Sequence, residues 1–180
     1  MTQVKASQIT KDKWLARYIT ENNDKFIDYD GVFGSQCVDL VIDYWDKRWS
    51  IPKNYSIGGA ANFWLLFEKI PTLYNNFVKV AIKDLLPGDV VIWGTKKCMP
   101  YGHCAVYTKV TERGLLVFQQ DGSIDKNGDG LADGTAHLAV WPASANMLGG
   151  LRHKSQIKQP SPAPKPNPCL LYTSPSPRDS

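Results

Sequence analysis

Asp28-Tyr29-Asp30-Gly31-Val32-Phe33-Gly34-Ser35-Gln36-Cys37-Val38-Asp39 carries more information than any other stretch of the 180-residue chain. Gly31 and Gly34 interrupt regular structure just before Cys37. After it, Val38, Val41, Ile42, Trp45 and Trp49 fall on one face at helical spacing. The pattern predicts a helix over Cys37–Trp49 with Cys37 at or near its N-terminus. A thiol there meets partial positive charge and unpaired N–H groups, which favour the thiolate. The same N–H groups can hold an oxyanion. A lone cysteine on a helix is just as readily a small core residue, so Cys37 gains meaning only from what accompanies it.

Working outward, Ile9–Ile19 carries Trp14, Leu15, Tyr18 and Ile19 at helical spacing and is ended by Asn22-Asn23-Asp24. Ala60–Ile70 repeats the pattern with Phe63, Trp64 and Phe67, and Pro71 is expected to stop it. Strand signals follow. Phe77–Ile82 alternates apolar and polar residues, Asp89–Trp93 follows the Pro87-Gly88 turn, and His103–Val110 and Leu115–Gln120 are joined by Glu112-Arg113-Gly114 as a hairpin. His137–Trp141 and Gly150–His153 read as closing strands. Helices followed by an antiparallel meander predict an α+β fold, with N-terminal helices packed on an antiparallel β-sheet.

His103 heads one of these strands, within Tyr101-Gly102-His103-Cys104. Gly102 leaves room beside it for a ligand's backbone. The alternative is a hydrogen-bonded structural histidine. A cysteine opening a helix and a histidine on a later strand is the order of papain-type thiol chemistry. A third group should orient the imidazole, and the next strand ends Phe118-Gln119-Gln120-Asp121, offering Gln119 or Asp121. The remaining histidines, His137 and His153, have apolar neighbours or lie near the chain's proline-rich segment. Cys98 and Cys104 lack zinc-site spacing and read as packing residues.

Four blocks together resemble the CHAP family (cysteine, histidine-dependent amidohydrolase/peptidase): residues 28–39, Leu86-Pro-Gly-Asp-Val-Val-Ile-Trp93, Gly102-His103 and Val117-Phe-Gln-Gln-Asp121. They occur in order over roughly residues 10–153. The resemblance implies a papain-like α+β fold and a peptidoglycan hydrolase of the kind carried by phage endolysins. Such an enzyme cuts the muramoyl–alanine amide or a bond within the stem or bridge peptides. It implies Cys37 as nucleophile and His103 as base. N–H groups near Cys37, helped by Gln36, would form the oxyanion site, and Tyr101 would line the substrate groove. Trp64 and Trp93 read as core aromatics. The family's Glu-x-Asn falls on Gln119 and Asp121, so the acid is displaced or exchanged. This departure also motivates an alternative, a calcium-stabilised wall-binding module with an inactive site. A virion-associated or bacterial wall-remodelling peptidase is the other.

Two segments read as calcium loops. The first offers Asp28, Asp30, Asp39 and the carbonyls of Val32 and Gly34, alternating oxygens of the kind a hard cation takes. The resemblance points here; the plain alternative is a turn capped by aspartates. The second, Asp125, Asn127, Asp129, Leu131 and Asp133 with a glycine at 130, matches the spacing of an EF-hand loop. Its twelfth position is Ala136 where a bidentate glutamate belongs. An Asn-Gly/Asp-Gly hairpin would use the same residues.

Composition bounds the rest. With 43% hydrophobic and 21% charged residues the chain can form a core, and no apolar run reaches bilayer length. A net charge of +4 without a basic cluster argues against nucleic-acid binding. The first residues lack the apolar region of a secretory signal. Taken with this, the resemblance implies a monomer acting on bacterial peptidoglycan, held in the host cytoplasm before holin-mediated release. The domain expectation is 1–155 catalytic, 156–168 a proline-rich linker, and 169–180 a translated sequencing adapter in place of a missing C-terminal domain. Cys169 falls in that last stretch.

Overall fold

The computed structural model describes residues 9–121, 125–142, 144 and 146–157. The linker expected over 156–168 lies outside the described residues apart from its first two, and the expected artefact at 169–180 lies wholly outside them.

Asp12 opens helix α1 (Lys13–Asn22) by accepting from the Leu15 N–H at 3.0 Å. The helix therefore starts four residues later than the apolar pattern alone suggests, because an aspartate N-cap satisfies amide donors that Ile9 cannot. Helix α2 (Cys37–Trp49) has the expected limits. Its buried face of Val38, Leu40, Val41, Ile42, Tyr44 and Trp45 packs on α1 and the sheet, each large apolar side chain contributing about 2 kcal/mol by burial. The helix predicted over Ala60–Ile70 is instead a short helix α3 (Asn62–Leu65), a 3₁₀ turn (Phe67–Lys69) and a further helix α4 (Pro71–Asn76). Pro71 starts that last helix rather than ending the earlier one, as suits a residue whose missing N–H would be unpaired in a first turn anyway.

The strands are β1 (Gly34–Ser35), β2 (Phe77–Val80), β3 (Val90–Trp93), β4 (His103–Thr111), β5 (Gly114–Gln119), β6 (Ala132–Asp133), β7 (His137–Trp141) and β8 (Met147–His153). Six form one antiparallel sheet in the order β2-β8-β3-β4-β5-β7. The α+β expectation holds, but a simple meander does not, because β8 returns to lie between β2 and β3. Alternation on the central strands separates two cores. Ile92, Cys104, Val106 and Phe118 face the helices. Val91, Trp93, Ala105, Tyr107 and Val117 form a second cluster on the other face. The remaining pair, β1 and β6, runs parallel and joins Gly34 to Ala132 and Ser35 to Asp133.

Candidate active site

The site forms where the N-terminus of α2 meets the ends of β4 and β5. Its chain path is tightly fixed. Phe33 holds φ 65 and Gly34 φ 73, and a Cβ on Gly34 would lie 2.4 Å from the Ala132 carbonyl oxygen, so only glycine lets β1 approach β6 this closely. Ser35 Oγ donates to the Gly134 carbonyl at 2.6 Å. Gln36 then caps α2 in extended backbone, with its N–H donating to Asp39 Oδ2 at 2.9 Å.

Cys37 is the first residue of the helix and is half-buried. His103 opens β4 and is buried. Gly102 ahead of it holds φ 73, where a Cβ would lie 2.5 Å from the Trp93 carbonyl oxygen and 2.8 Å from Ala61 Cβ. His103 Nε2 lies 2.7 Å from Gln119 Oε1. Trp141 stacks on the imidazole at 4.9 Å and 19°, and its Nε1–H donates to the same Gln119 oxygen at 2.7 Å. Trp93 closes a further side, 5.5 Å from the ring. With Nε2 turned to Gln119, Nδ1 is the nitrogen left to face Cys37.

The Cys37 thiol is held well below its ordinary range. A hydrogen bond from Cys104 contributes most; burial opposes it, and the hydrogen bond and charge of His103 add to the lowering. Cys104 itself is driven well above its ordinary value by burial first and then by Cys37, so it stays a protonated donor. For His103, burial favours the neutral ring, but the hydrogen bond and charge of Cys37, then Gln119 and Asp121, outweigh it and raise the value. Both shifts run in the direction that favours a thiolate beside an imidazolium.

Of the two candidates left open for orienting His103, Gln119 makes the hydrogen bond and Asp121 acts on the ring through its charge. Tyr101 is 70% exposed at the turn before β4, whereas Trp93 is fully buried and Trp64 partly buried. Cys98 is exposed rather than packed. Cys104 is packed, as expected, but also touches Cys37.

The residue that sequence reasoning missed is Gln120. Successive side chains on an extended segment point to opposite faces. Gln119 therefore turns to His103, while fully buried Gln120 turns to the nucleophile's side of the sheet. Its Oε1 accepts from the Ile27 N–H at 3.1 Å, and its Nε2 donates to the carbonyls of Ile27 at 2.6 Å and Gln36 at 3.0 Å. Two adjacent glutamines thus hold His103 and the segment leading to Cys37.

Asp28, Asp30 and Asp39 each bring a carboxylate oxygen within 4.8 Å of the others. Asp39 Oδ1 is buried without a partner. Burial, with Asp30 and Asp28 adding to it and the Gln36 N–H and Lys53 opposing, lifts the Asp39 carboxyl to about 7. Lys53 pairs with Asp30. A buried, unpartnered oxygen facing two further carboxylates fits a hard cation. Carboxylate oxygens cap local turns in both loops: Asp28 accepts from Gly31 and Asp30 from Val32 in the first, and in the second Asp125 accepts from Gly128 and Gly130, Asn127 from Asp129, Asp129 from Leu131, and Asp133 from Lys126. Among the described residues, no comparable cluster of acids gathers there.

No family model matches the chain. It is 32% identical over 129 residues to the endolysin PlyTW of Staphylococcus phage Twort, an alignment covering 66% of this chain and 25% of that protein. The chain thus spans about a quarter of the curated relative it matches. Its fold is like that of the crystal structure of the endolysin LysIME-EF1, with a TM-score of 0.58 and 24% identity over 83% of this chain and 64% of that one. In sequence, then, the chain is related to a phage endolysin, and in fold it resembles an endolysin of known structure.

Proposed function

We propose that the chain is the catalytic part of a phage endolysin of CHAP type, hydrolysing an amide bond of Gram-positive peptidoglycan through Cys37. The observation that carries this reading is the 2.7 Å contact of His103 Nε2 with Gln119 Oε1 beside Cys37 at the head of α2, where His103 lowers the thiol and Cys37 raises the imidazole. The Cys37 thiolate attacks the amide carbonyl carbon. The oxygen that becomes negative is held by N–H groups at the start of α2, with Gln36 at its edge. His103 gives its proton to the leaving amine, and the C–N bond breaks to leave a thioester on Cys37. His103 then takes a proton from water, which attacks the thioester and releases a carboxylic acid and the thiolate. Gln119 keeps the imidazole oriented through both steps, and Tyr101 offers an exposed ring to the substrate. On this reading the enzyme is made in the host cytoplasm, reaches the wall through a holin pore and works as a monomer.

Calcium belongs to the same proposal. Asp28, Asp30 and Asp39, with the carbonyls of Val32 and Gly34, would hold it. A bound ion would supply positive charge to the carboxylate cluster and stiffen the segment leading to Cys37.

The test is clearing of Gram-positive cell-wall suspensions by wild type and Cys37→Ala, with calcium and with a chelator. Clearing that needs Cys37 is expected, and the chemistry of the new ends identifies a muramoyl–alanine amidase or a peptide endopeptidase. Equal clearing by Cys37→Ala, or wall binding without cleavage, would overturn the reading. Calcium should raise the melting temperature of wild type and not of Asp39→Asn; a response kept by the variant removes Asp39 from the metal site.

A further inference from the structure

The site uses an amide where a carboxylate would orient a histidine without help. A carboxylate presents acceptors in either orientation. An amide turned by 180° would place its NH₂ against His103 Nε2–H, donor against donor. Something must keep it from turning.

We propose that His137 is a positioning residue that locks the Gln119 amide with its oxygen toward His103. His137 stands opposite Gln119 in the β5–β7 ladder. Its Nδ1 lies 2.8 Å from the Thr135 carbonyl oxygen. A carbonyl only accepts, so Nδ1 carries the hydrogen and the neutral ring presents Nε2 as an acceptor. That nitrogen lies 3.2 Å from Gln119 Nε2. On the other side, the Trp141 N–H can only donate, and it donates to Gln119 Oε1 at 2.7 Å.

His137 and Trp141 are four residues apart on one strand and so share a face. One offers an acceptor where the amide nitrogen must be; the other offers a donor where the oxygen must be. Gln119 is 5% exposed, so a turned amide would leave His103 Nε2–H, Trp141 Nε1–H and His137 Nε2 facing the wrong group. His103 is then obliged to donate from Nε2, which leaves Nδ1 for Cys37.

This inference rests on the cysteine-hydrolase reading, but its test does not need peptidoglycan. Iodoacetamide alkylation of Cys37 in the full chain, followed across pH and read at the Cys37 peptide by mass spectrometry, reports the Cys37–His103 pair directly. In His137→Phe the alkylation midpoint should rise toward that of an ordinary thiol by about one pH unit or more, and kcat on walls should fall with KM nearly unchanged. Gln119→Glu removes the amide's ambiguity. His137→Phe should therefore shift the midpoint little when added to Gln119→Glu, a coupling that only the lock explains. His137→Leu replaces the phenylalanine variant if thermal melting shows the latter unfolded. A His137→Phe midpoint equal to wild type overturns the proposal. So does an equal shift in both backgrounds, because His137 would then act by some route other than the amide. If walls are never cleared while the alkylation pattern holds, the lock stands and the proposed substrate fails.

Discussion

Replacing Gln120 with leucine removes the tie between the end of β5 and the nucleophile's segment at nearly constant volume. Three hydrogen bonds disappear: two to Ile27 and one to the Gln36 carbonyl. The Gln36 carbonyl still accepts from the N–H groups of Asp39 and Leu40, so its loss is mild. The Ile27 N–H and C=O are stranded where Ile27 is buried, at about 1–3 kcal/mol each. Extra apolar burial by leucine returns about 1 kcal/mol. The net loss is therefore about 1–5 kcal/mol, which for a domain of this size lowers Tm by about 2–20 °C. Circular dichroism melts of wild type and Gln120→Leu in reducing buffer measure it directly. Gln120→Glu should fare no better, since a carboxylate keeps the acceptor for Ile27 N–H but turns an oxygen toward two carbonyls. A leucine variant melting within 1 °C of wild type would refute the reasoning, for it would mean that the Ile27 groups find other partners at no cost.

Cys37 should keep reacting with iodoacetamide below pH 7, where an ordinary thiol with a pKa of about 8.5 loses about tenfold in rate per unit. The direction follows from the lowered Cys37 and raised His103 values, and His103→Ala should return the profile toward the ordinary one. A wild-type profile matching a free cysteine would remove the ion pair. Gly102→Ala should destabilise by about 2–4 kcal/mol and slow alkylation of Cys37, because its Cβ would press on Trp93 and Ala61 beside His103; a chemical-denaturation midpoint equal to wild type would contradict this. Arg152→Met leaves fully buried Asp89 without its bidentate partner, a loss of about 3–5 kcal/mol that urea titration would read, and a loss below 1 kcal/mol would show the pair unimportant.

Local patterns in the chain carried much of this architecture. The limits of α2 and β7 were legible because each is written in a single periodicity, and Cys37 and His103 because their flanking residues form compact motifs. Pro71 was misread because a proline marks either boundary of a helix, and only the packing of Phe67 and Leu73 decides which. The choice between Gln119 and Asp121 could not be made from order along the chain, since residues two apart share a face of an extended segment, and only the fold brings Gln119, the last residue of β5, within 2.7 Å of His103. His137 looked ordinary among apolar neighbours, although its spacing from Trp141 marks two polar ring edges on one face. Gln120 gave no signal of its own: its partners are backbone groups 93 and 84 residues away, which carry no sequence signature.

The position of β8 has a consequence for the life of the protein before it acts. Residues 147–153 fill the gap between β2 and β3, and β6 secures the path into Cys37 from nearly a hundred residues downstream. Pairings of such long sequence separation form late and slowly. On the ribosome the chain therefore emerges with Cys37 and His103 already synthesised but the frame that aligns them still incomplete. Thiol reactivity of Cys37 in stalled nascent chains should change from that of an ordinary cysteine only once β8 has cleared the exit tunnel.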